Sequence, residues 1–118
     1  MDKIQHFDEE SRTEANEILD TSSAIEKQEG VITVFTIIEH PPCSDKYFDI
    51  LFPDTDDYVV ASEIASDLRR QGTPVGAVDI LIAAMCINRG AKLVSLDKDF
   101  EKIQRVCPDL RIRYSKLR

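Results

Sequence analysis

Several acids in this chain stand where an apolar segment begins or ends. Asp79 opens the apolar run Ile80–Ile87, and Asp97 follows Leu93-Val-Ser-Leu96, with Asp99 two residues further on. Glu39 closes the stretch Val31–Ile38, and Asp20 follows the apolar pair Ile18-Leu19. A carboxylate beside a buried element is costly unless it is paired or coordinates a metal. Carboxylate oxygens are hard donors that suit Mg²⁺ or Mn²⁺ with water completing the shell. Acids drawn from separate segments into one pocket are what metal-assisted phosphodiester hydrolysis needs. One ion polarises the phosphoryl oxygen and helps make hydroxide, and a second stabilises the leaving oxygen.

Each acid also has a plainer role open to it. Asp79 suits the first turn of a helix, where the dipole favours a negative charge. Asp97-Lys98-Asp99 suits a solvated turn that caps the next helix; Asp99 is the better cap, which leaves Asp97 as the better ligand. Glu39, after eight largely apolar residues, is harder to read as surface, and the joint pattern is more specific than any one member. The two histidines, His6 and His40, suggest no catalytic base, and His40 reads as a neighbour of the site or a surface residue. No phosphate-binding loop, dinucleotide fingerprint, zinc spacing or nucleophile elbow is present.

The elements that must position these acids follow from periodicity. Val31–Glu39 is β-branched and nearly continuously apolar, which predicts a strand covered on both faces and stopped by Pro41-Pro42. Ile50-Leu51-Phe52 predicts a brief strand closed by Pro53. Asp54 or Thr55 caps a helix through Arg70, with Tyr58, Ala61, Ala65 and Leu68 on one face and Gly72 beyond its end. Gly76–Asn88 is apolar nearly all round, so a central buried helix is expected. Lys92–Leu96 predicts a strand, Lys98–Val106 a short helix and Leu110–Tyr114 a last strand. Glu17–Ala24 reads two ways, as a strand ending at Asp20 or as part of a helix over Ser11–Gln28; the second would leave the first strand missing upstream of Met1. The alternation of strands and helices implies an α/β fold with a mostly parallel sheet, whose sites form beyond the carboxyl ends of the strands.

With 118 residues the chain holds one domain at most. A net charge of −7 argues against a broad basic nucleic-acid surface, although Arg69-Arg70 with Lys92, and Arg111, Arg113, Lys116 and Arg118, gather locally. No apolar run approaches the ~20 residues of a membrane span, and the polar, acidic N-terminus is unlike a secretion signal. Three cysteines without paired spacing fit a reducing cytoplasm and no disulfides, with Cys86 a small core residue.

These segments resemble the PIN-domain ribonucleases, VapC-type toxins in particular. Gly76-Ala-Val-Asp79-Ile-Leu-Ile-Ala-Ala84 looks like the family helix D-x-L-I-A-A, and Leu93-Val-Ser-Leu-Asp97-Lys-Asp-Phe100 like its strand end L-V-T-x-D-x-D-F, with Ser95 keeping the hydroxyl of the usual Thr. Ile32–Glu39 looks like the family's second strand and Ile18-Leu-Asp20-Thr-Ser like its first. Two features depart from the pattern: Glu39 stands only nineteen positions after Asp20, and Pro41-Pro42 stands where a helix usually continues. The resemblance implies a PIN-like three-layer α/β fold with a small, mostly parallel central sheet over residues 17–118, after an acidic lead-in at 1–16. It implies a metal-dependent endoribonuclease with Asp20, Glu39, Asp79 and Asp97 as catalytic acids. Asp20, Asp79, Asp97 and Asp99 would be ligands of Mg²⁺ or Mn²⁺, with Thr21, Ser22 and Ser95 orienting ligand or phosphate. It further implies an RNA substrate, a homodimer and an antitoxin protein that inserts into the acidic site. An RNA-processing nuclease, a catalytically silent interaction module and, less well matched, a metal-dependent phosphatase using Asp97-Lys98-Asp99 are the alternatives.

Overall fold

The computed structural model describes residues 16–115; the lead-in before Asn16, and Lys116 and Arg118, lie outside the described residues. Along the chain run β1 (Glu17–Leu19), α1 (Thr21–Ala24), β2 (Glu29–Thr33), α2 (Val34–Glu39), a 3₁₀ turn (Pro41–Asp45) and β3 (Tyr47–Leu51). Then follow α3 (Thr55–Gln71), α4 (Ala77–Arg89), β4 (Lys92–Ser95), α5 (Phe100–Val106) and β5 (Arg111–Tyr114). Strands β1, β4 and β5 pair in that order and β2 pairs with β3, every pairing parallel. The two sets meet at Gly30. Its φ of 137° is open to glycine and strained for other residues, and a Cβ there would stand 3.2 Å from Leu19 Cδ1, so glycine suits the approach of β2 to β1.

Successive strand residues point to opposite faces, and here both faces are covered. Ile18, Leu51 and Leu93 pack under α3, α4 and α5 with Ile64, Leu68, Ile82, Met85, Cys86, Phe100 and Ile103. Leu19, Ile32, Ile50 and Val94 pack on the other side with Ala24, Ile37, Cys43 and Phe48. The result is the three-layer α/β arrangement with a small parallel sheet that the resemblance implied. No helix among the described residues is long and apolar enough to cross a membrane.

Most elements lie where periodicity placed them, with three corrections. The stretch expected as one strand over Val31–Glu39 is a strand to Thr33 and a helix from Val34. An unbroken apolar run fits either element; here Thr33 Oγ1 accepts a hydrogen bond from the Phe35 amide and starts a helix. Glu39 therefore ends a helix, not a strand. The expected helix over Lys98–Val106 begins at Phe100, and Asp99 makes no side-chain cap bond; Asp97 Oδ1 instead accepts from the Asp99 amide at 2.8 Å. In α3 the buried stripe is Asp57, Ala61, Ile64 and Leu68, with Tyr58 and Ala65 facing outward. The ambiguous segment is β1 followed by the four-residue α1, so the chain has its first strand.

Asp57 explains the rotation of α3. It is fully buried and forms a two-pronged ion pair with Arg89 at the end of α4, at 2.9 and 3.0 Å. It also accepts from Asn88 Nδ2 at 2.9 Å and from the Asp54 amide, which closes a capping box with Asp54. Burial pushes the Asp57 carboxyl up, but the bonds from Arg89, the Asp54 backbone and Asn88, with the Arg89 charge, outweigh it and hold the group below its usual range. This pair fastens α3 to α4, the helix that carries Asp79. We expect Asp57→Ala to lower the unfolding free energy by about 3–5 kcal/mol, because it strands a buried guanidinium, and Asp57→Leu with Arg89→Met to lose much less. Because the folded carboxyl is depressed, its contribution is complete above the ordinary Asp range. It fades as pH falls through the lower folded value, which denaturant titrations over an acid series read directly.

Candidate active site

Asp20 leaves β1 with its amide bonded to the Val94 carbonyl at 3.0 Å, which sets it beside the end of β4. Its extended backbone makes it the N-cap of α1, with Oδ1 accepting from the Ser23 amide at 3.2 Å. Ser22 Oγ donates to Oδ1 and Ser95 Oγ donates to Oδ2, both at 2.7 Å. Each serine is itself aimed by a backbone amide: Ser22 Oγ accepts from Leu96 N at 3.0 Å and Ser95 Oγ from Asp97 N at 2.8 Å. The Asp20 carboxylate is thus locked in one orientation across the β1–β4 seam. Its pKa is raised, chiefly by burial, with the bonds from Ser22, Ser95 and Ser23 opposing and the charge of Asp97 adding to the rise.

The other acids reach the same place from different elements. Glu39 comes from the end of α2, and its Oε1 accepts from Thr21 Oγ1, which also stands 3.2 Å from Thr36 Oγ1. Asp79 sits in the first turn of α4, and Asp97 follows β4. Asp20, Glu39, Asp79 and Asp97 line one cleft of about 380 Å³ with Thr21, Ser22 and Ile25. Asp99 does not line it; its carboxylate is largely exposed and stands 3.6 Å from Lys102 Nζ. His40 does not line it either. The larger groove, about 450 Å³ between the end of α3 and the start of α4, holds Ala65, Leu68, Arg69, Pro74, Val75 and Ile80 and no acid.

The electrostatics of the cleft are those of unshared like charge. Asp79 is pushed up to about 6, first by burial and then by Asp97, Glu39, Asp20 and Asp99 in that order. Among the described residues no three of these side chains stand together closely enough to hold an ion in this arrangement. Two of them are turned to other donors, Glu39 to Thr21 and Asp97 to the Asp99 amide. The donor chemistry nonetheless fits a hard divalent cation: carboxylate oxygens from four elements, with a repulsion that a cation would relieve. Of the residues that the sequence singles out, the structure brings the four acids together in this cleft with Thr21 and Ser22, and sets Ser95 Oγ on Asp20. The sequence does not single out Thr36, Ile25 or Ser115, whose Oγ hydrogen-bonds Ser23 Oγ. A lone serine near the end of a chain carries no signal that would have found it.

The family model described as PIN domain matches residues 43–106, a little over half of the chain. No curated protein matches. Among solved structures, the DNA-bound VapBC from Salmonella typhimurium aligns at 23% identity and a TM-score of 0.69, covering 85% of this chain and 98% of that one. VapBC2 from Rickettsia felis, bound to a DNA fragment from its promoter, aligns at 18% identity and 0.64, covering 83% and 97%. VapBC-5 from Mycobacterium tuberculosis, described as a member of the VapBC family of toxin-antitoxin systems, aligns at 18% and 0.63, covering 86% and 99%. At these identities the likeness is one of fold.

The strain at Asp79 has a measurable consequence. Because its folded pKa lies above the ordinary 3.8, the folded protein binds more protons than the unfolded chain between that value and about 6. Stability falls as pH rises through this window and carries the full penalty above it. In metal-free buffer at pH 8 we expect Asp79→Asn to be more stable than the parent, on the order of 1 kcal/mol once solvent screening in the open cleft is allowed for, and the gain to vanish toward pH 4. Thermal unfolding of both proteins across that range checks the sign.

Proposed function

The chain belongs to the PIN domain family, and we propose that it is a metal-dependent endoribonuclease that cleaves RNA phosphodiesters as the toxin of a toxin–antitoxin pair. The observation that carries the reading is the meeting of four acids from β1, α2, α4 and the end of β4 in one cleft with Asp79 pushed up to about 6. Asp20, Glu39, Asp79 and Asp97 would hold Mg²⁺ or Mn²⁺, with Asp99 near enough to add its charge. Such an ion, when bound, stabilises charge on the phosphoryl oxygen and lowers the pKa of a water.

The rest is done by the chain's own side chains. Ser22 and Ser95 hold both Asp20 oxygens, and the Leu96 and Asp97 amides hold the serines, so the carboxylate pays no reorganisation when a charged group arrives. Thr21 holds Glu39 at the opposite wall. Below about pH 6 Asp79 holds a proton that it must give up to a cation, so cation affinity falls in acid. Ile25 supplies one apolar wall. The likeness to VapBC complexes supports an antitoxin as partner, for which an arginine-bearing segment suits the acidic cleft; the family resemblance supports a homodimer, and composition supports a cytoplasmic setting.

The test is cleavage of a panel of single-stranded and structured RNAs by purified protein with Mn²⁺ or Mg²⁺, with EDTA, and beside two variants. We expect EDTA-sensitive cleavage that Asp79→Asn abolishes and that Ser22→Ala lowers about 10- to 100-fold, as for loss of a group that orients a metal ligand. Ser22→Thr, which keeps the hydroxyl, should restore most of it. A folded parent that cleaves nothing with either ion would contradict the proposal and favour a silent interaction module.

A further inference from the structure

In a chain of net charge −7, the face of the sheet beside α1 and α2 carries an unexpected run of cations. Side chains alternate along each strand. Leu19 and Val94 are buried on this face under Ala24 and Ile37, so Glu17, Lys92, Arg111 and Arg113 belong to the same face. The register sets Glu17, Lys92 and Arg111 in one row and Arg113 beside Val94. β5 is an edge strand among the described residues, Arg111 and Arg113 are exposed, and no β5 side chain joins the cluster under α1 and α2. Three cations therefore stand here against one acid. That acid is committed: Glu17 takes both prongs of the Arg113 guanidinium, at 2.9 Å each.

The row leads to the acidic cleft. β5 runs parallel to β4, and just beyond it the Ser115 amide donates to the Ser95 carbonyl at 2.8 Å. Ser115 Oγ meets Ser23 of α1, the helix that Asp20 caps. Arg111, Arg113 and Ser115 thus succeed one another every ~7 Å along one face, ending beside two residues that fix the Asp20 carboxylate. Guanidinium forks suit phosphate oxygens, and an acidic cleft repels a polyanion unless cations beside it offset the repulsion.

We propose that Lys92, Arg111 and Arg113 form a cationic rail that holds the phosphate backbone of a single-stranded RNA flanking the bond to be cleaved, with Glu17 as a competitor built into it. The part concerning the cleaved bond rests on the nuclease reading; the rail as an RNA-binding surface does not. Its test is binding of a labelled single-stranded oligouridylate in EDTA, followed by fluorescence anisotropy over a range of salt. The variants are Arg111→Ala with Arg113→Ala, Glu17→Gln, and Arg69→Ala with Arg70→Ala as a control of equal charge, each checked by thermal unfolding.

The first variant should bind more weakly, with a salt slope shallower by about 1.4, from two lost phosphate contacts at ~0.7 each. Glu17→Gln should bind more tightly, and the control should match the parent. The rail variant and Glu17→Gln break the same Arg113–Glu17 ion pair, so a merely structural role would move both the same way, and that result would overturn the proposal. So would a parent that does not bind, a control that loses as much as the rail variant, or an oligoglutamate that competes as well as RNA at equal charge, which would assign the surface to an acidic protein. Binding in this variant order without cleavage by the parent in Mn²⁺ would remove the nuclease reading and leave the rail standing. Cleavage without the order would do the reverse.

Discussion

Drawing Asp20, Glu39, Asp79 and Asp97 into one cleft costs electrostatic energy, because partial burial weakens the water that would otherwise separate their charges. The chain meets that cost locally and unevenly. Asp20, the most buried, has three donors: the Ser23 amide and two serine hydroxyls, each pinned by a further amide. Glu39 and Asp97 each have one donor, Thr21 and the Asp99 amide. Asp79 has the helix start, and its carboxyl rises to about 6, first by burial and then by the charges of the other acids. A site that stays strained in isolation and eases when a cation enters is a common trade of stability against function.

That strain requires stiff support, and the support lies away from the cleft. α4 carries Asp79 at one end and Arg89 at the other, and Arg89 is clamped to the buried Asp57 of α3. The apolar length of α4 between them, Ile80 to Cys86, is packed against the sheet. The Asp20 side is held by β1–β4 pairing and by the close approach of β2 at Gly30. The connection from Asp20 to β2 is brief, with only a four-residue helix, yet it delivers Thr21 and Ser22 to the acids and Ala24 to the core.

How much of this was legible follows from what kind of signal each residue leaves. Asp79, Asp97 and their elements were plain, because an acid at the edge of a long apolar helix or a short strand breaks a period that reads well. The clamp between Asp57 and Arg89 was not, since a buried ion pair between residues far apart in sequence leaves each partner looking like a surface charge; periodicity alone turns Tyr58 inward, where the structure has Asp57. Glu39 follows an apolar run, Val31–Ile38, that fits a strand or a helix equally well, and the choice falls to the Thr33 hydroxyl. The sequence favours Asp99 as the cap, while in the structure the backbone turn brings the Asp99 amide to Asp97 Oδ1. The rail on β5 could not be placed at all before the register of three strands fixed which residues share a face.

The account stands on the claim that the four acids form a site that demands a divalent cation. The most direct measurement is calorimetric titration of the metal-free protein with Mn²⁺ at pH 6 and pH 8, in buffers of different ionisation enthalpy. The account predicts saturable binding at both, with proton release at pH 6, where Asp79 is about half protonated, and almost none at pH 8, and loss of binding in Asp79→Asn. A folded protein that binds no Mn²⁺, or binds it equally well without the Asp79 carboxylate, would contradict it.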